Sequence, residues 1–204
     1  MSEREDHWNA VYGARAEAAL TWFEDAPEMS IDLIRSAGVT ADARVIDVGG
    51  GASRLVDALL DDGFSQITVL DLSAQALRVS QERLGKRAGR VHWVAGDITL
   101  WLPDGAYDLW HDRAVFHFLT DPEDRAAYLR ALRQALRPGG VAVIGTFALD
   151  GPETCSGLPV VRYAPETLAQ VFGDGFEPVS SRAHRHRTPM GRMQSFVFCT
   201  FRRR

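Results

Sequence analysis

The residues with most chemical promise here are three glycines and the aspartates around them. Val45-Ile-Asp-Val-Gly-Gly-Gly-Ala-Ser-Arg stands where an apolar run gives way to helical spacing. Glycines at such a point meet two needs: positive φ in a tight turn, and room for a ligand against bare backbone. Gly49 and Gly51, with Gly50 between them, form a G-x-G core. A dinucleotide fingerprint wants a further glycine or alanine three residues on, and Arg54 stands there instead. That departure weighs against a closely packed pyrophosphate, and so against a nicotinamide- or flavin-dependent oxidoreductase. Two acids follow at the ends of later apolar runs, in Val69-Leu-Asp71-Leu72-Ser73 and Val94-Ala-Gly-Asp97-Ile98. Asp71 can accept from two ribose hydroxyls while Leu72 lies against adenine. Asp97 can accept from an exocyclic amine, and the Ile98 N–H can donate to a ring nitrogen.

A second group of reactive types lies in Trp110-His111-Asp112-Arg113-Ala-Val-Phe116-His117-Phe118. Asp112 can hold an amine or position a base, Arg113 can pair with a carboxylate, and His117 titrates near neutrality. Asp112 and His117 are the candidate catalytic pair. A third group, Cys155-Ser-Gly157-Leu-Pro-Val-Val-Arg162-Tyr163, reads as a loop of the kind that carries specificity. Arg162 suits an acidic acceptor and Tyr163 a pocket wall. His184 and His186 stand two apart on a strand, but no third ligand of suitable spacing follows, so no metal is expected. They read as solubility residues of a sheet edge. The only lysine, Lys86, sits in a polar stretch, which disfavours imine chemistry.

The elements that must position these groups alternate. Ala43–Val48, Gln66–Leu70, Val91–Ala95, Tyr107–His111 and Val141–Phe147 read as strands. Ser53–Leu60, Ser73–Leu84 and Pro122–Leu136 read as helices between them, the last capped by Asp121 and stopped at Arg137-Pro-Gly-Gly. Such alternation implies a parallel sheet covered on both faces. After a helix at Pro165–Phe172, Phe176–Thr188 and Met193–Phe201 read as a hairpin turning at Pro189-Met-Gly-Arg. Its last strand alternates Phe196 and Phe198 with Met193, Val197, Cys199 and Phe201, as a strand buried on both faces should. The other strand carries charge or histidine at nearly every position of Arg182–Arg187.

The chain has 204 residues, 46% hydrophobic and 25% charged, with a net charge of −4. One domain is expected, with residues 1–40 as a helical cap and 41–204 as the core. No stretch approaches the length of a membrane span. The charged N-terminus and two cysteines lead to the expectation of a cytoplasmic protein with free thiols. The acidic balance gives no pull toward nucleic acid.

The glycine turn without its third glycine, the acid after the second strand, Gly-Asp after the third and the closing hairpin together resemble the class I S-adenosylmethionine-dependent methyltransferases. The resemblance covers roughly Arg44 to Phe201. It implies an α/β, Rossmann-like fold: a mostly parallel seven-stranded sheet with a C-terminal antiparallel hairpin and helices on both faces. It implies S-adenosylmethionine as cofactor, with Asp47 near the methionine amino group, Asp71 on the ribose, and Asp97 and Ile98 on the adenine. His7-Trp8-Asn-Ala-Val-Tyr12 and Trp22-Phe23 are similar to the N-terminal region of a methyltransferase-like group that includes protein lysine methyltransferases. In that group the segment folds over the cofactor and shapes the acceptor pocket. Where those enzymes carry Asp-Lys-Gly, this chain has Asp112-Arg113-Ala114.

The residues expected around the cofactor are therefore Trp22, Asp47, Gly49, Gly50, Gly51, Arg54, Asp71, Leu72, Asp97, Ile98, Asp112 and Arg113. Those expected around the acceptor are Tyr12, Phe23, Arg162 and Tyr163. The acceptor is a protein side chain or a small molecule. A non-catalytic cofactor-binding module is the alternative, and the oligomeric state stays open.

Overall fold

Short apolar strands with residues of both parities buried must pack on two faces, and the order of elements decides what covers each. The computed structural model describes residues 3–14 and 16–204; of the expected cap, residues 1, 2 and 15 lie outside the described residues. Helices α1 (Glu3–Ala14) and α2 (Glu28–Ser36) precede the sheet. Then come β1 (Arg44–Val48), α3 (Leu55–Asp61), β2 (Gln66–Asp71), α4 (Ala74–Leu84), β3 (Val91–Ala95) and β4 (Tyr107–Arg113). Helix α5 (Pro122–Ala135) leads into β5 (Leu136–Phe147). A two-stranded ribbon, β6 (Thr154–Cys155) with β7 (Leu158–Pro159), precedes α6 (Pro165–Phe172) and the hairpin β8 (Phe176–Arg187) and β9 (Met193–Arg203).

The seven-stranded sheet has the order β3-β2-β1-β4-β5-β9-β8, parallel except where β9 pairs antiparallel with β5 and β8. Alternation along each strand sorts side chains between the two faces. Ile46, Trp110, Ile144, Val197 and Phe201 pack under α5 and α6, while Val45, Val69, Leu109, Val143, Phe196 and Phe198 pack under α2, α3 and α4. Met193, expected on a buried face, is half exposed because it stands at the sheet margin. The Arg137-Pro-Gly-Gly stop does end α5, but β5 begins at once at Leu136, through a register shift against Tyr107 and Leu109. Among the described residues no helix is long and apolar enough to cross a membrane.

A buried relay fixes the turn after β4. Trp110 Nε1 donates to the Tyr128 hydroxyl at 2.9 Å, which donates to Asp112 Oδ2 at 2.6 Å. Asp112 also accepts the N–H groups of Val115 and Phe116 at 2.8 and 3.1 Å. All three side chains are fully buried, so none can exchange its partner for water. The relay holds Ala114 at φ +72°, a conformation that a residue with a Cβ rarely adopts.

Removing the central hydroxyl leaves a buried donor and a buried acceptor unpaired. Tyr128→Phe is expected to lower stability by ~1–3 kcal/mol in urea titrations, with little change in far-ultraviolet dichroism. Combined with Asp112→Asn it should cost less than the two single changes added, since both act on one network.

Candidate functional site

The turn after β1 brings a carboxylate to each side of bare backbone. Gly49 and Gly51 have φ of +71° and +29°. A Cβ on Gly49 would run into the Val115 side chain, and one on Gly51 would stand 2.6 Å from Asp71 Oδ2. Asp71 Oδ1 accepts the Ser73 N–H at 2.7 Å, and Ser73 caps α4 by accepting from the Ala76 N–H. Burial pushes the Asp71 carboxyl up to about 7, helped by the charge of Asp47 and opposed by the N–H groups of Ser73 and Gly51.

A cavity of about 310 Å³ opens along the C-terminal edge of the parallel strands, where open α/β sheets bind ligands. Gly49, Asp71, Leu72, Asp97 and Ile98 line one end. Asp97 Oδ1 accepts from the N–H and hydroxyl of Thr99, which fixes its side chain. Arg113, Phe147, Cys155, Gln194 and Phe196 line the other end. Arg4, Trp8, Tyr12 and Trp22, from the segment before the sheet, also line it. The Trp8 ring lies edge-on to Trp22 and Phe118 at 5.7 and 5.1 Å, and Tyr12 edge-on to Trp22 at 5.9 Å. Asn9 ties α1 down by accepting from the Ser73 hydroxyl at 2.8 Å.

Eight of the residues expected from sequence thus share one cavity: Tyr12, Trp22, Gly49, Asp71, Leu72, Asp97, Ile98 and Arg113. Gly50 and Gly51 form the back of the turn, one against Asp47 and the other against Asp71. Asp47 points to the opposite side, where its Oδ1 lies 2.7 Å from His111 Nδ1 and His111 Nε2 lies 2.9 Å from the Ser30 hydroxyl. Arg54 turns away to Glu17 and Asp25 at 2.9 and 2.7 Å, with its guanidinium over the Phe23 ring. Asp112 sits in the relay beneath the cavity, its carboxyl pushed up to about 6 by burial against the pull of Tyr128 and two N–H groups.

His117 is fully buried between the rings of Phe118 and Phe147, and its Nδ1 accepts the Phe147 N–H at 3.3 Å. Burial, with the Arg113 charge, drives it down to about 3, so the ring is neutral at physiological pH. Arg162 pairs with Glu153 at 2.9 Å, and Tyr163 packs beside Phe116; neither lines the cavity.

From sequence, Phe118 and Cys155 fall within the candidate stretches but have no assigned role, and Gln194 and Phe196 are not expected at the site. Gln194 and Phe196 belong to a strand whose pattern reads as core, and only the antiparallel insertion of β9 brings its start to the cavity. Glu24 was also missed. Its Oε1 lies 3.0 Å from Arg113 Nη2, 3.3 Å from His186 Nδ1 and 3.4 Å from His184 Nε2. The sequence offered the two histidines no third partner; the fold brings Glu24 within 4.8 Å of both. Arg113 already supplies a counter-charge to that oxygen, and His186 Nε2 donates to the Thr21 carbonyl at 2.8 Å, so the cluster clasps the 21–24 segment to the sheet. Burial alone would raise the Glu24 carboxyl, but His186, Arg113 and His184 together bring it below the usual range.

The sequence profile of a family described as a methyltransferase domain matches residues 46–142. The chain is 29% identical over 142 residues to the eEF1A lysine and N-terminal methyltransferase homolog of Drosophila melanogaster, covering 66% of this chain and 21% of that one. It is 33% identical over 138 residues to the ubiquinone/menaquinone biosynthesis C-methyltransferase UbiE of Methylobacterium nodulans, covering 64% and 54%. The chain therefore spans between a fifth and about half the length of these curated relatives. Its fold is that of the N-methyltransferase NodS from Bradyrhizobium japonicum, solved with S-adenosyl-L-homocysteine, with a TM-score of 0.74 at 19% identity over 98% of this chain and 99% of that one. With its seven-stranded sheet, its glycine turn and the two acids at the strand ends, the chain has the fold of the class I S-adenosylmethionine-dependent methyltransferases, and these likenesses support that family.

Proposed function

We propose that this protein transfers the methyl group of S-adenosylmethionine to an acceptor that enters the cavity beside Arg113, Gln194 and Phe196. The observation that carries this reading is the division of one cavity into two ends. The end at β2 and β3 holds two acids on apolar walls, which fits a nucleoside: Asp71 for ribose hydroxyls, Asp97 and the Ile98 N–H for the base edge. The absence of a Cβ at Gly51 lets the Asp71 carboxylate close against the turn. The end at β4 and β9 carries aromatic rings and a guanidinium, and it suits an acceptor.

When bound, the cofactor supplies an electrophilic methyl group on a sulfonium sulfur. The protein's share is alignment and exclusion of water, worth ~7–11 kcal/mol when reacting atoms are well oriented. Trp8, Tyr12 and Trp22 cover the cavity with rigid rings. Asp112 and His117 act here as positioning residues: Asp112 shapes the 113–116 turn, and His117 holds the backbone of Phe147. The relatives' names include eEF1A lysine and N-terminal methylation and ubiquinone/menaquinone biosynthesis, which supports both a protein side chain and a small molecule as classes of acceptor.

Calorimetry with S-adenosylhomocysteine tests the nucleoside end. Asp71→Ala should weaken binding by more than ~1 kcal/mol through loss of charge-assisted hydrogen bonds; wild-type affinity in that variant would refute the assignment.

The pH dependence has a definite sign. Asp71 titrates at about 7 in the folded protein, above its unfolded value of 3.8, so the folded state favours its protonated form. Its contribution is full below pH 4 and is lost as the pH rises through 7. Without ligand, Asp71→Asn should therefore be more stable than wild type above pH 7, by up to ~4 kcal/mol, with the gain vanishing near pH 4. Ribose hydroxyls donate to the ionised form, so wild-type affinity for S-adenosylhomocysteine should fall up to ~10-fold per pH unit below 7. A flat affinity between pH 5.5 and 8 would argue against Asp71 as the ribose acceptor.

A further inference from the structure

Resting on the methyltransferase reading, we infer that the acceptor is a carboxylate, held by Arg113 and methylated on oxygen to an ester. The argument begins with what lines the acceptor end. Among the described residues there, none is an acid and none is a histidine. The two acids of the cavity, Asp71 at the end of β2 and Asp97 just after β3, stand on the far side of β1 from Arg113. Tyr12 and Cys155 are the only neutral titratable groups at this end. Burial raises both, Cys155 to about 11, so neither accepts a proton at neutral pH. His117 is buried outside the lining, and its Nδ1 is occupied by the Phe147 N–H.

The end also carries two arginines. Arg4 lines it but pairs with Asp124. Arg113 is held in place by the Trp22 carbonyl at 3.0 Å and the Phe196 ring at 5.1 Å. Its Nη2 lies 3.0 Å from Glu24 Oε1, yet not in hydrogen-bond geometry, and that oxygen is shared with His184 and His186. Nε is a buried donor without an acceptor, and Nη2 has only this ion pair. Buried guanidinium N–H groups without acceptors are uncommon, and a planar oxyanion is what their fork recognises.

These two facts select the acceptor. An alkylammonium with an ordinary pKa of about 10.4 is neutral in only roughly one molecule in 2,500 at pH 7. It would need a base that this end of the lining lacks, and it would face Arg113. A carboxylate is already ionised and needs no base. One of its oxygens takes the Arg113 N–H, and the other forms the new bond to the methyl carbon. The carbon–sulfur bond breaks with its electron pair going to sulfur. A carboxylate and a sulfonium thus become a neutral ester and a neutral thioether, and no proton moves.

The test uses the whole chain with tritium-labelled S-adenosylmethionine, a cell lysate split into protein and small-molecule fractions, a lysine peptide and 2-mercaptoethanol. Products are then treated with alkali. A methyl ester releases volatile labelled methanol, whereas N- and S-methyl groups do not. Alkali-labile label is the expected result, and the fraction that holds it separates a free acid from a protein carboxylate. Label only in alkali-stable products, or in none while S-adenosylhomocysteine still binds, overturns the inference. Loss of S-adenosylhomocysteine binding by the wild type would instead defeat the methyltransferase reading itself.

Arg113→Gln and Arg113→Lys provide a second readout. On the acid identified, Arg113→Gln should raise KM at least 10-fold, with S-adenosylhomocysteine affinity within threefold of wild type, and Arg113→Lys should fall between. Equal losses of both affinities would assign Arg113 to the cofactor and overturn its role here. Intact cofactor binding also shows that the variants fold.

Discussion

Two negative charges must be kept apart behind one turn of backbone, and much of the architecture answers to that. Asp47 and Asp71 end neighbouring strands, both are buried, and Asp47 contributes to the raised pKa of Asp71. Glycines between them allow the close approach, since a Cβ on Gly50 or Gly51 would collide with one carboxylate or the other. The strain is relieved unequally. Asp47 lies against His111, itself held by Ser30 of α2, while Asp71 has only backbone N–H groups. A buried carboxylate left with spare acceptor capacity beside open space is a site for hydroxyl donors.

The same economy runs across the sheet. Parallel strands deliver their C-terminal ends to one edge, so acids at β2 and β3, a turn at β1 and Arg113 at β4 fall in a row. The antiparallel β9 adds its N-terminal end to that row, which is how Gln194 and Phe196 reach the acceptor side. Beneath, the Trp110–Tyr128–Asp112 relay holds the positive-φ turn that aims Arg113. Above, α1 and the 21–24 segment are tied on by Asn9, by interlocked rings and by the Glu24 cluster. The two ends of the cavity are thus held by different strands.

Much of this was legible in the residues alone. Strand–helix alternation and the glycine turn lead to the fold class, and the acids after β2 and β3 lead to residues that line the cavity. They do so because turn chemistry and burial period act locally, within a few residues. The end of α5 was legible for the same reason, though not that β5 would begin at once at Leu136 through a bulge. Misplaced expectations all concern side-chain direction. Asp47 was expected at the ligand and points to His111. Arg54 was expected there and pairs with Glu17 and Asp25. His117 was read as a base and is buried at a backbone N–H. Each has a partner more than 20 residues away, which a local pattern cannot reveal.

The sequence by itself determined the order of strands and helices, where backbone would be bare, and which strand ends would carry acids. Those follow from conformational preference and hydrophobic period, properties of neighbouring residues. Only the tertiary structure decided which charges meet. It paired Arg113 with a Glu24 already shared by two histidines, retired His117 from solvent, and set Arg113 at the opposite end of the cavity from Asp97. Charge and protonation depend on burial and distance, and both are set by segments that become neighbours only once the sheet has assembled.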